Sequence, residues 1–198
     1  KGKNLELSKL DYVESCEIKR PLHIDHISFK AMLELIREMR SDSGEGGEAG
    51  KISKIIAIAS YGANFEGDYN SDSEVFKLFI KKVLNSPLNE MIGFHNWICK
   101  SVNDSQKQWM KMFLSVKVEN PEYERAERGR LLQFSPLLVV KTMCQDFNCS
   151  YDEAWQMSYT LTQTNSYLRA TQMHIQDQER QLKELKMKAN RRANGKYN

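Results

Sequence analysis

The sequence predicts a mainly α protein: a compact helical bundle with a long C-terminal helix and an irregular or short-strand N-terminal arm. Three observations carry that prediction. Apolar residues recur at helical rather than alternating spacing over most of the chain, capping signals precede several of those stretches, and no Gly or Pro interrupts residues 161–194. The organisation that follows is an arm over 1–27, a helical body over 28–158 with a flexible loop at 41–50, and a long basic helix and tail over 159–198.

In the arm, Leu10, Tyr12, Val13, Cys16 and Ile18 fit neither the helical nor the strand period, and Pro21 ends whatever they form. Ser28 is placed to cap a helix in which Phe29, Met32, Leu33, Ile36 and Met39 share one face. Residues 41–50 hold four glycines among small polar neighbours and read as a surface loop. Ile52, Ile55, Ile56, Ile58 and Ala59 suit a helix, which we favour, although their isoleucine content also suits a buried strand. Gly62, Asn64, Gly67, Asp68 and Asn70 mark the next loop.

Ser71-Asp72-Ser73-Glu74 has the spacing of a capping box, ahead of Val75, Phe76, Phe79, Ile80 and Val83. Ser86-Pro87 pairs a cap residue with a proline suited to a first helical turn, and Leu88, Met91, Ile92, His95 and Cys99 continue from it. Asp104 reads as the start of a further helix bearing Trp109, Met112, Phe113 and Val116. Asn120-Pro121-Glu122 opens a charged helical segment. Ser135-Pro136 repeats the cap-plus-proline signal before Leu137, Val140, Met143, Cys144 and Phe147, and Asn148 reads as a helix stop. Ser150-Tyr151-Asp152-Glu153 is a second capping box, and Tyr151, Ala154, Trp155, Ser158 and Tyr159 then fall on one aromatic face. Such a face is most often plain core, although Tyr and Trp are also enriched at binding hot spots.

The last segment has a seven-residue spacing. Leu161, Leu168, Ile175 and Leu182 repeat, with Ala189 at the next step, while three residues on stand Thr164, Thr171, Gln178 and Leu185. Half a heptad pattern predicts a helix of about 30 residues, or ~45 Å, whose apolar seam is too thin to zip with itself. Such a helix needs something else to lie against.

Charge follows the same division. Eight basic and three acidic residues between 169 and 198 leave that segment at +5 and residues 1–168 at −2, against a total of +3. Lys183, Lys186, Lys188, Arg191, Arg192 and Lys196 form a basic patch able to meet nucleic-acid phosphates or an acidic protein surface. Tyr197 is the only aromatic beside them, so base stacking is thin. Basic residues at a helix C-terminus also complement the macrodipole with no partner at all.

The sequence offers little chemistry. His23-Ile24-Asp25-His26 has a fragment of metal-ligand spacing, but a zinc site needs further ligands, and a polar turn leading into a Ser28-capped helix explains the run. His95 reads as a core histidine without a nucleophile or base beside it. Cys16, Cys99, Cys144 and Cys149 are scattered and predict reduced, buried thiols. No phosphate-loop, dinucleotide or nucleophile-elbow motif is present, so the reading is of a binding protein that is not an enzyme and uses no cofactor. The longest apolar run, residues 55–59, falls far short of the ~18–20 residues of a membrane span, and the first residues do not have a signal-peptide pattern.

The run Phe147-Asn148-Cys149-Ser150-Tyr151-Asp152-Glu153-Ala154-Trp155-Gln156-Met157, with the Ser135-Pro136 helix before it, resembles an element of tailed-bacteriophage virion and tail-assembly proteins. The resemblance implies a structural role in the neck, tail or baseplate. It further implies other virion proteins as partners in a ring-like homo- or hetero-oligomer, and a location in the virion or, during assembly, the host cytoplasm. It carries no active-site residues with it. The alternative expectation is a nucleic-acid-associated protein that uses the basic tail for DNA contact.

Overall fold

A computed structural model describes residues 17–42, 47–116 and 135–194. Following a 3₁₀ turn at Ile24–His26 come α1 (Phe29–Arg40), α2 (Gly47–Asn64), α3 (Glu74–Leu84), α4 (Leu88–Leu114), α5 (Ser135–Phe147), α6 (Tyr151–Gln156) and α7 (Tyr159–Asn194). The fold is a helical bundle with no strand among the described residues. The first sixteen residues of the expected arm and the charged segment after Asn120 lie outside them.

The bundle is organised around α2, which touches α1, α3 and α4. Ile55, Ile56, Ala57, Ile58, Ala59 and Tyr61 are all buried, so over these residues the helix is enclosed on every side. That explains why its sequence also read as a buried strand. Two buried serines are accommodated because each hydroxyl donates one turn back along the helix, Ser53 to the Ala49 carbonyl at 2.7 Å and Ser60 to that of Ile56 at 2.6 Å. At the end of α2, the Asn64 amide donates to the Lys19 carbonyl at 2.9 Å while its oxygen accepts the Lys19 N–H at 2.8 Å. This reciprocal pair ties residues 17–20 to the core.

Met32 and Leu35 from α1, Phe76, Phe79 and Val83 from α3, and Phe94, Ile98 and Val102 from α4 close over α2. The rings of Tyr61, Phe65, Tyr69, Phe76 and Phe79 form a chain of edge-to-face and tilted contacts with centroids 4.9–5.9 Å apart.

Several local expectations are corrected. Gly47 to Gly50, read as loop, form the first turn of α2, where Gly47 takes a positive φ of 60°. Residues 62–64, also read as loop, belong to the last turn of that helix. The cap of α3 is Ser73, whose hydroxyl accepts the Phe76 N–H, whereas Ser71 turns away to donate to Glu34. Pro87 itself stands at the cap position of α4, and Ser86 donates to the Lys82 carbonyl instead. Asp104 opens no new helix: α4 runs unbroken for 27 residues because nothing between its apolar positions interrupts backbone pairing. The Ser28 cap, the Asn148 stop (φ 49°) and the Ser150–Glu153 capping box stand as expected.

Phe79 is 0% exposed and Leu22 89% exposed. Phe79→Ala should therefore lower the unfolding free energy by about 3–5 kcal/mol, while Leu22→Ala stays within about 0.5 kcal/mol of wild type in the same denaturant titration.

Candidate functional site

The departure of α7 from the body is fixed by a short backbone staple. The Phe29 N–H donates to the Met157 carbonyl at 2.7 Å and the Tyr159 N–H donates to the Ile27 carbonyl at 2.9 Å, an isolated antiparallel bridge between Ser28 and Ser158. Each serine also caps its own helix: the Ser28 hydroxyl accepts from Ala31 N–H at 3.2 Å, and that of Ser158 from Leu161 N–H at 3.3 Å. Phe29 stacks on Trp155 with centroids 5.6 Å apart and on Tyr159 at 6.4 Å.

This staple divides the expected aromatic face. α6 is only six residues long and ends at Gln156, so Tyr151, Trp155 and Tyr159 do not share one helix. Tyr151 is exposed, Trp155 is half-buried, and Tyr159 is buried in the core where no partner reaches it.

His23, Asp25 and His26 flank the same junction. The Asp25 carboxylate accepts from the Ser105 hydroxyl and its carbonyl from the Thr160 hydroxyl at 3.0 Å, while the two imidazoles meet edge-on at 5.2 Å. The run thus links the 3₁₀ turn to α4 and α7. No group of three His, Cys, Asp or Glu side chains among the described residues is arranged to hold a metal. His95 is half-buried with Nε2 3.5 Å from Cys99 Sγ. Burial raises the Cys99 thiol above its ordinary pKa, the opposite of what an activated nucleophile requires. Cys99, Cys144 and Cys149 are free thiols, half-buried instead of fully buried; Cys16 lies outside the described residues.

α7 spans 36 residues, about 54 Å at ~1.5 Å per residue. Its first turns rest on the body through two tyrosine rings and a set of polar side chains. Thr162 is fully buried, Asn165 donates to Asp146 at 2.7 Å, and the Arg169 guanidinium grips both oxygens of that carboxylate, one of them at 2.8 Å. Arg169, with help from Asn165, holds the Asp146 carboxyl below its usual range. Phe113 meets Tyr167 edge-on at 5.9 Å.

The predicted seam lies on the other side. At ~100° per residue, Leu168, Ile175 and Leu182 fall about 100–180° around the helix from Thr162, Ser166 and Arg169, and Leu161 about 80–140° from them. Leu168, Ile175, Leu182 and Leu185 are 53%, 49%, 58% and 61% exposed. Residues 178–190, including Lys183, Lys186 and Lys188, are exposed throughout. Arg191 and Arg192 continue the helical backbone, and Lys196 lies outside the described residues.

Sequence reasoning missed a groove. α1, the loop before α3, and α6 enclose an open space of about 640 Å³ lined by Lys30, Leu33, Glu34, Tyr69, Asp152 and Trp155, with Asp68, Asn70 and Gln156 completing its wall. Tyr69 is its pivot: the hydroxyl donates to Glu34 at 2.6 Å, and its backbone exchanges hydrogen bonds with the Gln156 side chain. These residues stand 35 and 87 positions apart in sequence, and no local spacing announces them.

Neither a protein-family model, nor a curated protein, nor a solved structure matches this chain.

Burial, and then the neighbouring Glu34 carboxylate, raise the Tyr69 phenol well above 10.0; burial raises Tyr61 and Tyr159 in the same direction. A proton held more tightly in the folded state costs nothing below pH 10, where the unfolded chain keeps it too. Above pH 10 the unfolded chain loses it first, so stability falls as pH rises. Denaturant titrations between pH 8 and 11 should show that decline, and Tyr69→Phe should make it shallower while Tyr61 and Tyr159 keep it from vanishing.

Proposed function

We propose that this chain is a non-enzymatic assembly protein that joins neighbouring subunits through α7, in the neck, tail or baseplate region of a tailed-phage particle. The observation that carries the connector role is the polarity of α7. Beyond the buried Tyr159 and the Tyr167–Phe113 contact its body-facing side is polar, and its leucine and isoleucine stripe is left half exposed. An exposed apolar stripe on a projecting element suits an interaction face, and an amphipathic helix laid in a neighbour's groove is a common way to cover it. Support for the phage setting is the resemblance of residues 147–157, whose capping box and short helix form one wall of the junction from which α7 departs.

A second reading, contact with DNA, is favoured by Lys183, Lys186 and Lys188, all exposed on a helix free of the body. Against it, Leu182, Leu185 and Met187 are interleaved with those lysines and are equally exposed, which phosphate contact does not require.

The paired substitution Ile175→Glu, Leu182→Glu tests the connector. In sedimentation over a concentration series up to about 0.1 mM, where contacts as weak as ~−5 kcal/mol register, the wild-type chain should associate. The variant should stay monomeric with unchanged helical circular dichroism. A variant that associates like wild type, or salt-sensitive DNA binding that is lost on deleting residues 183–198 while association persists, would overturn the proposal.

A further inference from the structure

We infer that the receptor for α7 is the Trp155 groove of a second copy of this chain, so that copies join head to tail. This rests on the connector role proposed above and adds the identity of the neighbour and the place where the helix lands.

The two surfaces are complementary in charge and in shape class. The groove has a half-buried apolar floor in Leu33 and Trp155, and three carboxylates around it, Glu34, Asp68 and Asp152, against one ammonium, Lys30. The exposed end of α7 is its counterpart: between residues 180 and 190 stand Arg180, Lys183, Lys186 and Lys188 against Glu184. Leu182, Leu185 and Ala189 recur at i, i+3 and i+7, with Lys186 beside them at i+4. That is the anchor pattern by which a helix enters a groove. A groove of about 640 Å³ accepts a few such side chains rather than a whole helix.

Geometry excludes the same chain as occupant. Gln156 lines the groove and α7 begins three residues on at Tyr159, so the groove lies at the base of that helix. From Tyr159 to Lys188 that helix rises about 44 Å at ~1.5 Å per residue, which holds the basic end away from its own groove. A helix end that matches a groove it cannot reach must find it on another molecule. Because the two patches differ, the contact is heterologous, and repetition closes a ring or extends a filament.

Charge reversal tests this on the full chain. Asp68→Lys with Asp152→Lys reverses two exposed groove carboxylates that have no part in the Glu34–Tyr69 hydrogen bond, and Lys183→Glu with Lys186→Glu reverses the helix end. Each double variant alone should associate at least about tenfold more weakly than wild type in sedimentation. An equimolar mixture should reassemble, since each reversed groove then meets a reversed helix and each native groove a native one. A groove variant that assembles like wild type while the helix variant does not would overturn this inference and leave the connector role standing. Loss in both variants without recovery on mixing, or a wild-type chain that is monomeric at every concentration, would also overturn the inference. Reassembly in the mixture but not in either component is the result that a structural defect in the body cannot produce.

Discussion

The antiparallel bridge between Ser28 and Ser158 is the constraint on which the rest of the structure turns. It consists of only two backbone hydrogen bonds, from Phe29 to Met157 and from Tyr159 to Ile27, yet it fixes the starts of α1 and α7 against each other. Because each serine also caps its helix, the bridge cannot slip without uncapping one of them. Phe29, stacked against both Trp155 and Tyr159, fills the space beneath it. The direction in which a 36-residue helix leaves the body, and the face it turns outward, therefore follow from a junction of a few residues. The same junction places α6 against α1, which creates one wall of the groove. The projecting helix and the groove are two consequences of one local geometry.

What could be read from the sequence was what short-range physics determines. The Ser28 cap, the Ser150 capping box, the Asn148 stop and the uninterrupted stretch after Leu161 each depend on residues within a turn or two. α2 is the ambiguous element because residues 55–61 are buried without a break. An apolar helix surrounded by partners loses the one-sided pattern that distinguishes it from a core strand, and only its length and its position between α1, α3 and α4 resolve the question. Ser71 and Ser73 show the limit of capping signals. Both had plausible spacing, and the choice fell to Ser73 because Glu34, 37 residues away from Ser71, takes that hydroxyl. The aromatic face of Tyr151, Trp155 and Tyr159 failed for a related reason: a helical period says nothing of the two-residue break at Met157 and Ser158 that backbone pairing with Ile27 and Phe29 imposes.

The heptad seam was visible in sequence, but its orientation was not. Spacing alone gives the relative angles of Leu161, Leu168, Ile175 and Leu182, and leaves open whether they meet the body or face away. Thr162, Asn165 and Arg169 decide this. Thr162 is buried against the body and the other two hold Asp146, which leaves the leucines turned away from that contact. A surface helix ordinarily turns its apolar stripe to the core, and here the order is inverted. Burying the stripe against the body instead would expose Thr162 to water and break the Arg169–Asp146 pair, so the inversion is held by specific polar contacts.

That inversion also explains how the outer half of α7 persists as a helix without support. Leu, Gln, Glu, Lys, Arg, Met and Ala make up most of residues 178–190, all strong helix formers, and Glu179–Lys183 and Glu184–Lys188 have the favourable Glu-before-Lys spacing of four. Nucleation, the costly step for an isolated helix, has already occurred at the Ser158 cap and along the turns seated on the body. The outer turns need only propagate. In the proposed connector role a helix organised in this way meets its partner already formed, so docking would order side chains and not backbone, and the entropy cost that a disordered tail incurs on binding is largely removed in advance. This gives a physical reason for a thin apolar seam to suffice: a preorganised helix needs less buried surface to hold a neighbour than a segment that must fold as it binds.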